Sequence, residues 1–234
     1  MTAYLKTLLL TWIINFGKKK NLCKGISFHI QKPTVRNEKT EDLSDEQLRT
    51  LIKKIDESTN IQIKNFMRLV LFTGMRRGEV LKLQWKDVNF DRGFINIRDP
   101  KGGPDQKIPL NDAARNILES HPRENSLYVF PGRNGGQRVS VQAGVNKIKK
   151  LAGLPKDFRP LHGIRHLYAS MLASSGKVDL YTLQRLLTHK DSRSTQRYAH
   201  LRDETLQRAS GLAVDIVKNI TELKKDSTIK KLIP

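Results

Sequence analysis

One stretch near the C-terminal end carries L-H-G-I-R-H-L-Y-A-S at residues 161–170 and L-L-T-H-K-D-S-R-S-T-Q-R-Y-A-H at residues 186–200. It contains four side chains with complementary chemistry: His162, Arg165, His189 and Tyr198. Imidazoles titrate near neutral pH, and a guanidinium can bind two phosphate oxygens at once. A phenol becomes a nucleophile when a base and nearby cations help to remove its proton. The set predicts chemistry on a phosphodiester, with Tyr198 as the attacking group.

The composition favours a polyanionic partner. The 234 residues include 43 Lys plus Arg against 23 Asp plus Glu, which gives a formal net charge of +20. Nucleic acid is the commonest partner for such a surplus, and a solvated basic surface is the alternative. Apolar residues make up 38%, so a packed core is feasible. Cys23 is the only cysteine, which excludes an internal disulfide and suits a reducing compartment.

The N-terminal segment superficially resembles a signal peptide. Its apolar residues, however, recur at helical spacing on one face, and Lys18–Lys20 stands where a small-residue cleavage site would be expected. The apolar run is also too short to span a bilayer. We therefore expect an amphipathic helix ending near Gly17, in a soluble and cytoplasmic protein with no membrane partner.

Hydrophobic periodicity predicts a mostly helical chain. Ser44-Asp-Glu-Gln47 is a capping-box start, and Gly74 is expected to end a helix buried on nearly all sides. The predicted helices are those after Ser44, around 66–72, from Arg76 to Leu83, from Asn111 or Asp112 to Leu118, from Ser140 to Gly153, over 162–174, from Asp179 to Leu187, and from Ser194 through Tyr198.

Apolar and polar residues alternate with a period of two on either side of the segment D-P-K-G-G-P-D. The segments 94–97 and 107–110 read as short strands separated by this Gly/Pro-rich turn, and one more strand can join them. The predicted fold class is therefore mainly α with a small antiparallel β-sheet, an α+β fold.

The histidines of the first segment allow two interpretations. His162 and Arg165 lie three residues apart, so they share one face of a helix. His162 and His166 also match an H-x-x-x-H metal pair, but a third ligand and a carboxylate base are not placed for a zinc hydrolase. We expect no metal.

Two further cationic side chains are candidate site residues. Arg76 leaves the buried helix just after Gly74, and Glu79 lies three residues later, where it can hold the guanidinium in one orientation. Lys101 lies at the tip of the hairpin, from which an ammonium can protonate a leaving alkoxide. Lys107 is the alternative to Lys101.

These residues and their order resemble the tyrosine recombinase (phage integrase) family. The resemblance covers most of the chain between Ser44 and His200. It rests on the two opening segments and on T-G-M-R-R-G-E at 73–79, L-Q-W-K-D-V at 83–88 and K-G-G-P-D-Q-K-I-P-L at 101–110. It implies a tyrosine recombinase catalytic-domain architecture and a site-specific recombinase or integrase, typical of phages and other mobile elements, that cuts and rejoins DNA through a covalent 3′-phosphotyrosine.

The resemblance also implies how the phosphate is held. Arg76 and Arg165 would bind the non-bridging oxygens of the scissile phosphate and stabilise the charge of the transition state. His189 would hydrogen-bond the same phosphate.

The remaining roles implied by the family concern protons. His162 would help to take the proton from Tyr198, and Lys101 would protonate the departing 5′ oxygen. Because the phosphotyrosine conserves the bond energy, the family uses neither a metal nor a nucleotide cofactor.

Two departures from the family pattern matter. Thr188 stands before His189, where relatives usually have glycine, so the turn that holds His189 is expected to differ slightly because a β-branched residue is restricted. Residues 1–40 are expected to be only the last helix and linker of the core-binding domain, which predicts a shortened chain or a naturally short relative with a weaker hold on DNA. We assign 41–205 to the catalytic domain, and 206–234 to a C-terminal helix and tail that packs on its own core or on a neighbouring subunit.

The expected partners are double-stranded DNA and further copies of the chain. By resemblance, the protein would be a homotetramer on DNA and a monomer or weak oligomer when free, in a prokaryotic cytoplasm beside the nucleoid. A type IB topoisomerase-like enzyme and a catalytically silent, DNA-binding relative remain open alternatives.

Overall fold

The computed structural model describes residues 3–28, 30–31, 43–100, 103–123 and 125–202. The chain divides into two compact units, Met1–Thr40 and Glu41–Pro234. The predicted C-terminal helix lies outside the described residues. The division into domains therefore stays a prediction.

The smaller unit contains helix α1, Ala3–Lys19. It continues two residues past Gly17, where the sequence predicted its end. Trp12 and Phe16 stack on one another with ring centroids 5.6 Å apart, and both are exposed. Among the described residues, no helix combines the length and apolar character needed to cross a bilayer.

The larger unit is mainly helical with one small sheet, which confirms the predicted fold class. Short 3-10 turns at Trp85–Asp87 and Ala199–Arg202 accompany the helices. The described helices are α2 Asp45–Asp56, α3 Ile61–Thr73, α4 Arg77–Lys82, α5 Asp112–Glu119, α6 Gln142–Leu151, α7 Pro160–Ser174, α8 Leu180–Leu186 and α9 Arg193–Gln196.

Local capping sets several helix ends. Ser44 caps α2 through a reciprocal pair of hydrogen bonds with Gln47, as the sequence predicted. Asn60, Asn111 and Asp179 each accept a backbone N–H from the first turn of α3, α5 and α8. Such caps satisfy amide groups that a helix leaves without an internal partner.

Three antiparallel strands form the sheet in the order β1-β2-β3. They are β1 Val88–Asn89, β2 Phe94–Ile97 and β3 Gln106–Pro109. Strands β2 and β3 pair with Ile95 opposite Ile108. Both side chains are buried, which attaches the sheet to the helical core.

Helix α3 lies at the centre of this core. It carries eight buried residues and contacts α5 and α7, so it is enclosed on most sides, as predicted. Phe66 packs edge-on against Phe130 with centroids 5.2 Å apart. The helix ends at Gly74, which adopts the left-handed conformation (φ 65°) and directs the chain toward α4.

Two sequence-based expectations were wrong in detail. Leu151 follows Val145 and Ile148 at helical spacing, which predicts that it shares their apolar face, but it is 58% exposed at the end of α6. Tyr198 was placed on a helix starting near Ser194; instead it lies between the short helix α9 and the following 3-10 turn.

Candidate active site

Arg76 is positioned by the turn between α3 and α4. It is the N-cap residue of α4, and its backbone N–H donates to Glu79 Oε2 at 2.8 Å. Its Nη1 donates to Glu79 Oε1 at 2.8 Å and to the carbonyl oxygen of Thr188 at 2.8 Å. The guanidinium is thus held between its own helix and the end of α8.

Arg165 reaches the same place from α7. Its buried guanidinium donates from Nη1 to the carbonyl oxygen of Gly74 at 2.6 Å, and from Nη2 to that of Leu187. Burial, and then the positive charge of Arg76, lower the pKa of Arg165 to about 10, so it stays charged at neutral pH. Arg76 and Arg165 therefore converge on one turn, Leu187–Thr188, and their mutual repulsion favours an anion between them.

His189 follows that turn directly. Its Nδ1 lies 2.7 Å from Thr195 Oγ1, which fixes the ring orientation. Burial, and then the charges of Arg165 and Arg76, lower the pKa of His189 to about 3. The imidazole is therefore neutral at neutral pH and can donate one hydrogen bond to an anion.

Tyr198 contacts His166, which the sequence had not placed in the site. Its hydroxyl lies 2.6 Å from His166 Nδ1, and the tyrosine is 6% exposed. His166 Nε2 in turn lies 2.9 Å from His162 Nε2. The three side chains form a continuous hydrogen-bonded row, in which His166 is the group next to the phenol.

His166 is uncharged at neutral pH. Burial, and then the proximity of His162 and Arg197, lower the pKa of His166 to about 4. A neutral imidazole has one N–H and one lone pair. When Nδ1 accepts the Tyr198 hydroxyl, Nε2 carries the hydrogen and donates it to His162.

His166 was not among the site residues predicted from the sequence. Its spacing of four from His162 was visible and was weighed only as a metal pair. The same spacing lets the two rings meet on one face of α7, with centroids 4.4 Å apart. Arg197 was also missed; its Nη1 lies 3.4 Å from His166 Nε2, and its guanidinium lies 5.9 Å from the centre of the Tyr198 ring.

Metal ligation receives no support from the histidine pair. Within the described ranges, no group of three or more His, Cys, Asp or Glu side chains is placed to hold a metal ion. The Nε2 atoms of His162 and His166 lie within hydrogen-bond distance of each other.

Lys101 was predicted from the sequence to protonate the leaving group, with Lys107 as the alternative. Lys101 is outside the described residues, so its role as the acid for the leaving group stays a prediction. Lys107 is an exposed residue of β3.

The structure thus brings five sequence-predicted side chains to one region of the larger unit. They are Arg76, His162, Arg165, His189 and Tyr198. The two guanidinium groups can bind an anion, the neutral imidazoles can donate or accept hydrogen bonds, and the phenol lies beside a proton acceptor. Glu79 keeps Arg76 in place.

Several proteins are similar in sequence to this chain. The tyrosine recombinase XerC of Xanthomonas campestris pv. campestris (strain B100) is 34% identical over 166 residues, which cover 68% of this chain and 50% of that protein. The tyrosine recombinase XerD of Oceanobacillus iheyensis is 29% identical over 191 residues, covering 75% and 62%. The chain thus spans between half and two thirds of the length of these relatives.

Solved structures share the fold. The XerH site-specific recombinase, bound to palindromic difH substrate in a post-cleavage complex, superposes with a TM-score of 0.67 at 22% identity and covers 87% of this chain and 64% of that one. The Tn1549 transposon integrase, in complex with a circular intermediate DNA, has a TM-score of 0.70 at 19% identity, with 89% and 78% covered. Residues 41–205, more than half of the chain, match the model of the phage integrase family. The chain therefore belongs to the phage integrase family of tyrosine recombinases.

Proposed function

We propose that this chain is the catalytic portion of a site-specific DNA recombinase that cuts and rejoins strands through a 3′-phosphotyrosine. The observation that carries the proposal is the convergence of Arg76 and Arg165 on the Leu187–Thr188 turn, with the Tyr198 hydroxyl beside a neutral imidazole. The XerC and XerD relatives are tyrosine recombinases, which supports the same activity here.

The proposed cleavage step moves one proton and exchanges one bond. Tyr198 Oη attacks the phosphorus atom, and its proton passes to His166 Nδ1, 2.6 Å away. The bond between phosphorus and the 5′ oxygen breaks, and that oxygen takes a proton from Lys101. Arg76 and Arg165 neutralise the charge that builds up on the non-bridging oxygens, and His189 donates to one of them.

Rejoining reverses the step with a different strand. The 5′ hydroxyl of a partner strand attacks the phosphorus atom of the phosphotyrosine and passes its proton to the amine of Lys101. The bond between phosphorus and Tyr198 Oη breaks, and the proton returns from His166 to the phenol. One phosphoester bond is exchanged for another in each direction, so no external energy source is required.

The proposed partner is double-stranded DNA. The net charge of +20 supplies the electrostatic attraction. The XerH and Tn1549 proteins, which share the fold, were solved with DNA. We further propose that four copies act together on DNA, that the free chain is a monomer or weak oligomer, and that it works in the cytoplasm beside the nucleoid.

A nicked suicide substrate tests the covalent step, because loss of a short strand after cleavage traps the protein on DNA. The wild-type chain should form an adduct that survives denaturant, and Tyr198→Phe should form none while still binding the duplex. Tyr181→Phe is the control, since Tyr181 is 70% exposed on α8. An adduct formed by Tyr198→Phe would place the nucleophile elsewhere, and DNA binding by a wild-type chain that forms no adduct would identify a silent, DNA-binding relative.

A further inference from the structure

Thr188 occupies a backbone position that glycine normally takes. Leu187 caps α8, the Thr188 N–H donates to the carbonyl of Arg185 at 3.0 Å, and the His189 N–H donates to that of Gln184 at 3.0 Å. This pair of hydrogen bonds is the Schellman motif, whose left-handed residue is usually glycine. Thr188 adopts that conformation, with φ 51°, although a β-branched side chain is disfavoured there.

The Thr188 hydroxyl makes contacts that glycine cannot make. Its Oγ1 lies 2.8 Å from Glu79 Oε1, and Arg76 Nη1 donates to it at 2.5 Å. The hydroxyl has one hydrogen, and a carboxylate is a stronger acceptor than the Leu187 carbonyl that also lies within reach at 2.7 Å. It therefore donates to Glu79 and accepts from Arg76, which closes a three-residue ring.

Two members of this ring, Thr188 and Glu79, are shielded from water. Thr188 is 3% exposed and Glu79 is 8% exposed. Hydrogen bonds to charged groups strengthen where water is excluded, and a missing partner there is costly. The ring connects the start of α4 to the turn that ends α8.

We infer that Thr188 is a positioning residue that locks Arg76 to the turn preceding His189, through its hydroxyl and the Glu79 carboxylate. The inference rests on the proposed function and goes beyond it, because it assigns a role to a side chain at a position where the Schellman motif usually has glycine. Strain in the backbone is retained at this position because the hydroxyl fixes the distance between two groups that would hold one phosphate.

Three substitutions separate the hydroxyl from the backbone strain. Thr188→Val keeps the shape and the strain but lacks the hydroxyl, Thr188→Gly relieves the strain and lacks the hydroxyl, and Thr188→Ser keeps the hydroxyl. The measurement is the single-turnover rate of adduct formation on the nicked DNA substrate, together with DNA affinity and the melting temperature of each variant.

Thr188→Val and Thr188→Gly should both slow adduct formation by about tenfold or more, because a small displacement of a group that binds the phosphate, here Arg76, lowers the rate strongly. Thr188→Ser should restore most of the rate. Thr188→Gly should have a higher melting temperature than Thr188→Val, because it relieves the backbone strain, but its rate of adduct formation should be as low. A merely structural role would not separate stability from rate in this way. Thr50→Val is the control, since the Thr50 hydroxyl bonds the Glu46 carbonyl on α2, away from the site.

Wild-type rates in both Thr188→Val and Thr188→Gly would overturn the inference. A wild-type chain that forms no adduct would instead overturn the proposed function. In that case a double-mutant cycle decides the role of Thr188 without DNA. Melting-temperature losses from Thr188→Val and Glu79→Gln that are not additive support the ring, and additive losses refute it.

Discussion

Neighbouring charges and burial set the protonation state of the histidines in this site. His166 is buried and His189 is half-buried among guanidinium groups, so their pKa values fall to about 4 and about 3. Neutral imidazoles can accept a proton from a phenol or donate to a phosphate, whereas imidazolium groups would repel Arg76 and Arg165. A bound phosphodiester would offset the positive charges and raise both pKa values, which makes the histidines better bases when the substrate is present.

The first prediction at this scale separates the two histidines of α7. His166→Gln should lower the rate of adduct formation by about 100-fold or more, because the phenol loses the nitrogen that accepts its proton. His162→Gln should have a smaller effect, since the nitrogen 2.6 Å from the phenol belongs to His166, and His162 lies 2.9 Å from the other nitrogen of that ring. Single-turnover cleavage of the nicked substrate measures both.

DNA affinity and melting temperature should be recorded for the same two variants, to exclude loss of binding or folding. A larger loss in His162→Gln than in His166→Gln would return the proton acceptor to the residue that the family resemblance implies.

At the scale of elements, Gly74 decides how α3, α4 and α7 meet. Its φ of 65° ends α3, and a Cβ atom placed there would lie 2.4 Å from Tyr168 Cδ1 on α7. Its carbonyl oxygen accepts the hydrogen bond from Arg165. The absence of a side chain thus lets α7 approach closely enough for its guanidinium to reach the turn after α3.

Gly74→Ala should therefore lower the free energy of unfolding by about 2–3 kcal/mol, from the left-handed backbone and the overlap with Tyr168 together. Chemical denaturation measures the change. Gly78→Ala is the matched control: a Cβ at Gly78 meets nothing within 4 Å, so alanine there should be neutral or stabilising by about 0.5 kcal/mol. Equal stabilities of the two variants would contradict this account of the turn.

At the scale of the whole molecule, the site imposes a pH dependence on folding. The unfolded histidines have an ordinary pKa of about 6.5, whereas the folded pKa values of His166 and His189 are about 4 and about 3. Between these values the unfolded state binds more protons, so the free energy of unfolding falls as the pH is lowered. The stabilisation is fully present above the unfolded pKa and is lost progressively below it.

We therefore expect the melting temperature to decrease when the pH is lowered from about 7.5 to about 5, a window above the ordinary carboxylate pKa values. Differential scanning calorimetry measures this dependence. His166→Gln and His189→Gln should each make it shallower, by removing one group that titrates on unfolding. A melting temperature that does not change over this range, or a dependence that neither variant alters, would refute the depressed pKa values.

Local signals were sufficient for most of the fold. The capping box at Ser44, the glycine stop at Gly74 and the period-two strands around the hairpin each depend on residues within a few positions of one another. For this reason their interpretation from sequence was correct. Leu151 was misplaced because periodicity gives the face of a helix but not where the neighbouring helix stops covering it.

The sequence by itself determined the residue types of the site, the helix caps and the small sheet. The order of its motifs also indicated the protein family. Only the tertiary structure decided that Tyr198 contacts His166, and that Thr188 joins Arg76 and Glu79. These contacts connect residues 32 and 112 positions apart. Spacing along one helix places His162 and His166 on the same face, but which imidazole reaches the phenol depends on how a separate segment packs across α7.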